Sequence, residues 1–185
     1  MEHVPRKRVR HFDKEGHVHF LTFSCYHRWP LLSKEYSISW FLDALAEACA
    51  VSNSELWAYV VMPEHVHLVI NPTTPTYKTS AFLQKVKQPV SRTAKKWLAE
   101  HNPIWHDKLT INRGGGKKEF RFWQAGGGYD RNLFSEKEVI KTIEYIHTNP
   151  VRRELVDDPL GWKWSSALWY SKSDGLGVSL EHLGK

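Results

Sequence analysis

Cysteine is scarce in this chain, and its two cysteines are not placed for a metal site or a disulfide framework. Cys25 and Cys49 are far apart and neither belongs to a Cys-x-x-Cys pair, which excludes zinc knuckles and small disulfide-rich folds. No stretch approaches the roughly 18 apolar residues of a membrane span, and no apolar segment follows the basic N-terminus, as one would in a secretory signal. We therefore expect a cytoplasmic protein without a membrane partner.

The chain also lacks the phosphate loop of nucleotide hydrolases. Its glycine-rich run from Gly114 to Lys118 does not match the GxxxxGK(S/T) pattern whose backbone amides hold nucleotide phosphates. We therefore expect no nucleotide cofactor.

Acidic residues are the minority among the charged side chains. The 26 lysines and arginines outnumber the 20 aspartates and glutamates, giving a net charge of +6 and a pI near 9.3. Such a protein attracts polyanions. Nine Trp, seven Tyr and eight Phe offer faces on which unpaired bases can stack, although a packed core uses the same residue types. Nucleic acid is therefore the first partner to consider.

The length of 185 residues suits a single domain over residues 1–185. We predict a basic arm at about residues 1–12 and an irregular tail at about residues 151–185. Basic arms commonly lie along phosphates. The cations of this arm are Arg6, Lys7, Arg8 and Arg10.

Hydrophobic periodicity predicts an α+β fold. Residues 17–26 are rich in β-branched and aromatic side chains and indicate a strand, whereas residues 34–51 repeat apolar positions every three or four residues and indicate a helix. Two strand-like runs on either side of Pro63 and Glu64 indicate an antiparallel pair.

The second half of the chain adds two helices and one short strand. Residues 80–101 have a helical pattern that Pro89 should kink or divide. Residues 120–124, between two glycine runs that we expect to be mobile loops, indicate a short strand. Ser135 and Glu138 form a capping-box pattern at the start of a third helix. This order fits a split β-α-β arrangement, with helices packed on an antiparallel sheet.

A His-x-His pair opens the second strand of the predicted hairpin. Residues two apart on a strand share a face, so His65 and His67 can present two imidazoles to one metal ion or one phosphate. A structural, hydrogen-bonded role is the alternative. His17 and His19 repeat the spacing, but the setting of the later pair, directly after a proline turn between long apolar runs, favours it.

The third helix offers a further ligand and a nucleophile. Tyr145 and Asn149 lie one turn apart on its polar flank, so the amide oxygen of Asn149 can reach an ion that Tyr145 also approaches. Pro150 disfavours helical geometry at Asn149. The alternative is that Tyr145 is a packing residue and Asn149 a helix-terminal residue. Tyr129, beside a glycine run, is a rival nucleophile.

Several motifs together resemble the REP-associated tyrosine transposases, relatives of the IS200-like HUH single-strand transposases. They are VVMPEHVHLVI, FWQ, YDRNLF, IEYIHTNPVRRELV and WKWSS, in that order, and the similarity runs from about residue 17 to residue 169. The resemblance implies a ferredoxin-like HUH nuclease fold, with His65, His67 and Asn149 as ligands of Mg²⁺ or Mn²⁺ and Tyr145 as the nucleophile. It also implies cleavage of single-stranded DNA beside hairpins of palindromic repeats, in the bacterial nucleoid.

This sequence departs from the expected family pattern in two loops. The loop of residues 102–118 is longer and richer in glycine than expected. Three glycines at residues 126–128 stand where bulkier residues are expected before Tyr129. Neither change affects the proposed catalytic residues, but both concern the surface that grips DNA.

The reaction expected from the resemblance joins Tyr145 to a 5′-phosphate through a phosphotyrosine link and leaves a free 3′-hydroxyl. We expect basic side chains near the phosphates, and a monomer. Two alternatives remain: a hairpin-binding protein without catalysis, and a zinc hydrolase that uses both His-x-His pairs. The cations expected at phosphates are Arg6, Lys7, Arg8, Arg10, Lys87, Arg92, Lys95, Arg131, Arg152 and Arg153.

Overall fold

A computed structural model describes residues 17–172 of the chain. The predicted basic arm, with Arg6, Lys7, Arg8 and Arg10, lies outside the described residues. Within the described range, no helix is long and apolar enough to span a lipid bilayer.

The central sheet has four antiparallel strands: β1 Val18–Ser24, β2 Ser54–Val61, β3 His65–Pro72 and β6 Tyr129–Leu133. Two short strands, β4 Thr110–Asn112 and β5 Lys118–Phe120, form a separate hairpin. The order in the main sheet is β2-β3-β1-β6. Counting β6 as the fourth strand, this is the strand order of a ferredoxin-like sheet, which confirms the predicted α+β fold.

The helices are α1 Glu35–Val51, α2 Thr79–His101, α3 Pro103–Lys108, α4 Glu136–Arg152 and α5 Ala167–Tyr170. They pack on both faces of the sheet, and alternation along β3 divides its side chains between them. Val66, Leu68 and Ile70 are buried in the core that includes apolar residues of α1 and α2. His65 and His67 therefore point to the other face, where buried residues of α4 pack.

Helix α4 begins at the predicted cap, Ser135, although the carboxylate of Glu138 binds the amide of Phe134 and not that of Ser135. The Ser135 hydroxyl accepts a hydrogen bond from the Glu138 amide at 3.3 Å, and the Glu138 carboxylate accepts one from the Phe134 amide at 2.8 Å. The disturbance expected from Pro150 does not occur, because α4 runs through this residue and Asn149 stays helical. Burial of Pro150 and Asn149 holds the last turn in place.

Helix α2 is continuous over 23 residues, so the division expected at Pro89 is absent. A proline inside a helix costs about 3 kcal/mol through its lost hydrogen bond and ring clash. Buried side chains of α2, including Phe82, Val86 and Val90, pack into the core shared with α1 and the sheet. Each such burial contributes about 1.5–3 kcal/mol, which offsets the cost of the proline.

The fourth strand of the sheet was not recognised in the sequence. We predicted a short strand at 120–124, but β5 ends at Phe120 and Trp123 makes only an isolated bridge to Cys25. The missing strand is β6, which pairs with β1 from Val18↔Leu133 to Thr22↔Tyr129. Its sequence, YDRNL, contains residues that disfavour strands, so long-range pairing with β1 decides its conformation.

The segment after α4 packs against β2. The Trp162 indole donates to the carbonyl of Val61 at 3.0 Å, and the Tyr170 hydroxyl donates to the carbonyl of Trp57 at 2.5 Å. These bonds attach a largely irregular stretch to the edge strand of the sheet.

Candidate active site

The two histidines of β3 converge on one point. Their Nε2 atoms are 3.0 Å apart, and both side chains are almost fully buried. An open pocket of about 400 Å³ lies between the histidine face of the sheet and the end of α4. Its lining residues are Thr22, Ser24, Arg28, His65, His67, Tyr145, Asn149, Arg152 and Arg153.

Neighbouring groups hold the outer nitrogen of each imidazole. Glu64 Oε1 lies 3.1 Å from His65 Nδ1, and because a carboxylate can only accept, that nitrogen carries the proton. Thr22 Oγ1 lies 2.7 Å from His67 Nδ1. The side-chain amide of Asn149 lies 3.3 Å from His67 Nε2. Both Nε2 atoms therefore face the pocket, and the proton on Nδ1 of His65 leaves its Nε2 with a free lone pair.

Both imidazoles are held in the neutral form. Burial, followed by the charges of His65 and Arg28, lowers the pKa of His67 to about 3. Burial also lowers the pKa of His65, partly opposed by Glu64. Neutral imidazole is the form of histidine that binds a metal ion.

Asn149 supplies a third polar group at the same point. Its side chain is 7% exposed, and its Oδ1 has no hydrogen-bond partner among the described residues. Buried amide oxygens are normally satisfied. A half-turn of the amide exchanges its oxygen and nitrogen, which brings the oxygen toward His67 Nε2. The set of donors is then two imidazole nitrogens and one amide oxygen.

Tyr145 stands one helical turn before Asn149 at the mouth of the pocket. Its ring centroid is 5.6 Å from that of His67 and 6.2 Å from that of Phe20, edge-on in both cases. The side chain is 38% exposed, and the Arg152 guanidinium lies 5.2 Å from its ring centroid. The phenol is therefore both accessible to a substrate and held by rigid neighbours.

An ion-pair network borders the histidines. Only 12% of the Glu64 side chain is exposed. Its Oε1 atom, which contacts His65, also forms ion pairs with Arg153 at 2.9 Å and with Arg28 at 3.6 Å. Arg28 has φ 55, a left-handed conformation that is uncommon outside glycine. The carboxylate thus links one imidazole to two cations of the pocket.

The predicted cations are distributed unequally around this pocket. Arg152 and Arg153 line it, and Arg131, on β6, donates to the Thr142 hydroxyl at 3.1 Å. Arg92 and Lys95 are exposed on α2, which covers the opposite face of the sheet. These two side chains therefore do not reach the histidine pocket.

Lys87 is engaged within the protein. Its ammonium donates to the carbonyl of Gly126 at 3.1 Å and lies 4.4 Å from the ring centroid of Phe23. Burial lowers its pKa to about 8. These contacts give Lys87 a role in holding the loop before β6.

The second His-x-His pair does not join the first. His19 is fully buried on the α2 side, with its Nδ1 3.0 Å from Asp130 Oδ1, and His17 bonds to Asn132. Thr22 is three residues after His19 on β1, so the two side chains point to opposite faces of the sheet. His67 pairs with Thr22 and therefore lies on the face opposite His19. One ion cannot bridge both pairs, so the zinc-hydrolase reading is wrong. The described residues also contain no cluster of three or more His, Cys, Asp or Glu side chains suited to a metal.

Sequence reasoning missed Thr22, Ser24 and Arg28, which line the pocket, and Glu64, which contacts His65 beside it. Thr22, Glu64 and Arg28 carry no spacing that connects them with the histidines along the chain. Only the position of Glu64, directly before the first histidine, gave a local signal.

Comparisons with known proteins place the chain among transposases. The family described as transposase IS200 like matches residues 14–149. The structure of a REP-associated tyrosine transposase bound to a REP hairpin is similar, with 19% identity, a TM-score of 0.65, and coverage of 100% of this chain and 93% of the other. A putative transposase from Deinococcus radiodurans R1 has 20% identity and a TM-score of 0.44, over 80% of this chain and 97% of the other. No curated protein matches the chain.

Proposed function

Because the chain belongs to the family of IS200-like transposases, we propose that it cuts and rejoins single-stranded DNA beside a hairpin, with Tyr145 as the nucleophile. One observation carries the proposal: the phenol of Tyr145 and the three inward-facing groups of His65, His67 and Asn149 line the same pocket. A phosphodiester between them would contact both a nucleophile and an electrophilic site.

The donors fit a divalent cation. Imidazole nitrogens and an amide oxygen are better ligands for Mn²⁺ than for metals that prefer thiolates. This ligand set also differs from the cysteine-rich sets of structural zinc sites. His65, His67 and Asn149 would hold the ion. Bound there, Mg²⁺ or Mn²⁺ would supply Lewis-acid polarisation of a phosphate oxygen.

The covalent step exchanges one phosphate ester for another. The Tyr145 oxygen forms a bond to the scissile phosphorus, and the bond from phosphorus to the 3′-oxygen of the preceding nucleotide breaks. The phenolic proton is lost to solvent and the 3′-oxygen gains one, so a 5′-phosphotyrosine and a free 3′-hydroxyl result. Rejoining is the reverse step, and it requires no nucleotide cofactor.

Protein side chains orient the phosphate for this attack. Arg152, Arg153 and Arg28 border the pocket and can bind the flanking phosphates. Packing of Tyr145 against Phe20 and His67 limits the directions from which its oxygen can approach the phosphorus.

Hairpin DNA is the proposed partner. The similar structure contains a tyrosine transposase bound to a REP hairpin, and the net charge of +6 favours a polyanion. We propose that this chain binds such a hairpin, together with an adjoining single strand, as a monomer.

The test is incubation with labelled hairpin DNA and Mn²⁺, followed by a denaturing gel. The unaltered protein should give a protein-linked DNA band that Tyr145→Phe and His67→Ala both lose. The control Tyr170→Phe, which changes a tyrosine that is bonded to β2 and does not line the pocket, should retain the band. EDTA should also abolish the band. Binding without attachment would instead support a hairpin-binding protein without catalysis.

A further inference from the structure

The row of the sheet that contains His67 continues across two more strands. Thr22 of β1 pairs with His67 on one side and with Tyr129 of β6 on the other. Residues paired in this way point to the same face. Since neighbouring strands are about 4.8 Å apart, the Cα atom of Tyr129 lies about 10 Å from that of His67, on the face that carries the histidines.

Tyr129 presents an exposed ring beside the nucleophile. The side chain is 51% exposed, and its ring lies edge-on to Phe20 with a centroid distance of 5.9 Å. Phe20 also contacts the ring of Tyr145. Two residues further along β6, Arg131 points to the same face, with its guanidinium 5.9 Å from the Phe20 ring. Phe20 thus supports an aromatic ring and a cation next to Tyr145.

The chain before Tyr129 is fixed rather than free. Gly128 has φ +83, and a Cβ atom at this position would lie 2.2 Å from the carbonyl oxygen of Thr22. Only glycine allows β6 to approach β1 this closely. The Lys87 ammonium also holds the carbonyl of Gly126. Tyr129, which follows a glycine run that we expected to be a mobile loop, is therefore displayed on a strand in a defined position.

We propose that Tyr129 stacks on an unpaired base of the single strand next to the scissile phosphate, while Arg131 binds a phosphate beside that base. The inference rests on the proposed function and extends it to the grip on the single strand. Bases in a duplex already stack on each other, so an exposed aromatic face selects unpaired DNA. Two cations of this face, Arg131 at the Phe20 ring and Arg152 at the Tyr145 ring, complement the phosphates of that strand.

The experiment measures DNA binding without metal, so that no cleavage occurs. In EDTA, fluorescence anisotropy compares two labelled probes with the same stem: a blunt hairpin and a hairpin with a randomised single-stranded extension. Tyr129→Ala should weaken binding of the extended probe by about 5- to 150-fold, the range for one stacked base, and leave the blunt probe unchanged. Tyr129→Phe should bind both probes as the unaltered protein does, because stacking needs no hydroxyl.

A matched control comes from the opposite face of the sheet. Tyr36, on α1, is 41% exposed, so Tyr36→Ala removes a similarly exposed ring and should not change binding of either probe. Full affinity of Tyr129→Ala for the extended probe would overturn the proposal, as would an equal loss on both probes.

Covalent attachment in Mn²⁺ is measured separately on the same variants. If the unaltered protein forms no adduct, the proposed chemistry fails while stacking on Tyr129 still stands on the EDTA data. If Tyr129→Phe abolishes the adduct, Tyr129 is the nucleophile and the stacking role is overturned.

Discussion

Removal of the Glu64 carboxylate should weaken metal binding without weakening DNA binding. Glu64 Oε1 fixes the proton of His65 on Nδ1 through a contact of 3.1 Å, which leaves Nε2 free as a ligand. Hydrogen bonds to charged groups contribute about 1.5–3 kcal/mol, and 1.4 kcal/mol corresponds to a factor of ten in an equilibrium constant. Loss of the partner of a metal-binding histidine typically lowers metal affinity by about 10- to 100-fold. We expect that loss for Glu64→Ala.

The substitution Glu64→Gln provides an intermediate case. Its amide oxygen can still accept from His65, but the negative charge is gone, so Mn²⁺ affinity should fall less than in Glu64→Ala. Metal-free affinity for hairpin DNA should rise or stay the same, since Arg28 and Arg153 lose the carboxylate that competes with phosphate for them.

Isothermal titration with MnCl₂ in the absence of DNA measures the first effect, and anisotropy in EDTA measures the second. Glu144→Gln is the matched control, because it removes an equal charge from an exposed position of α4. Unchanged Mn²⁺ affinity in Glu64→Ala would refute the reasoning. A parallel loss of metal affinity, DNA affinity and Tm would indicate general disruption instead.

Three further predictions concern the basic side chains, the contact between β6 and β1, and the buried cysteines. Lys87→Met should leave the affinity for a blunt hairpin unchanged, whereas Arg153→Gln should weaken it and reduce the slope of log K against log salt by about one; titrations at several salt concentrations distinguish them. Gly128→Ala should cost about 2 kcal/mol or more through its left-handed backbone and its clash with β1, and should lower Tm by about 4–8 °C in thermal melts. Because burial raises the pKa of Cys25 and of Cys49 to about 12, neither thiol should react with an alkylating reagent at pH 8 until the protein unfolds, and rapid labelling of the folded protein would contradict their burial.

The first half of the fold follows from local patterns. The alternation in β1 and the hairpin of β2 and β3, and the apolar repeat of α1, are each set by neighbouring residues in the chain. The capping box at Ser135 likewise marks the start of α4. These elements were predicted because buried side chains recur about every two residues along a strand and about every 3.6 residues along a helix.

Strand β6 shows where local patterns stop being informative. Asp130 and Asn132 disfavour an isolated strand, but in the sheet Asp130 bonds to His19 and the backbone pairs with β1. The partner lies more than a hundred residues earlier in the chain, so no local window contains the cause. Pro89 and Pro150 are similar cases, since tertiary packing overrides a local preference against helix at both positions.

By itself the sequence determined that His65 and His67 share a face and that Asn149 lies one turn beyond Tyr145, because strand and helix geometry fix relations between residues close in the chain. Only the tertiary structure decided that these two pairs meet in one pocket. The packing of α4 on the histidine face of the sheet brings them together, and it also brings Thr22, Glu64 and Tyr129 to the same place. Such contacts depend on surfaces buried between elements distant in sequence, which no spacing records.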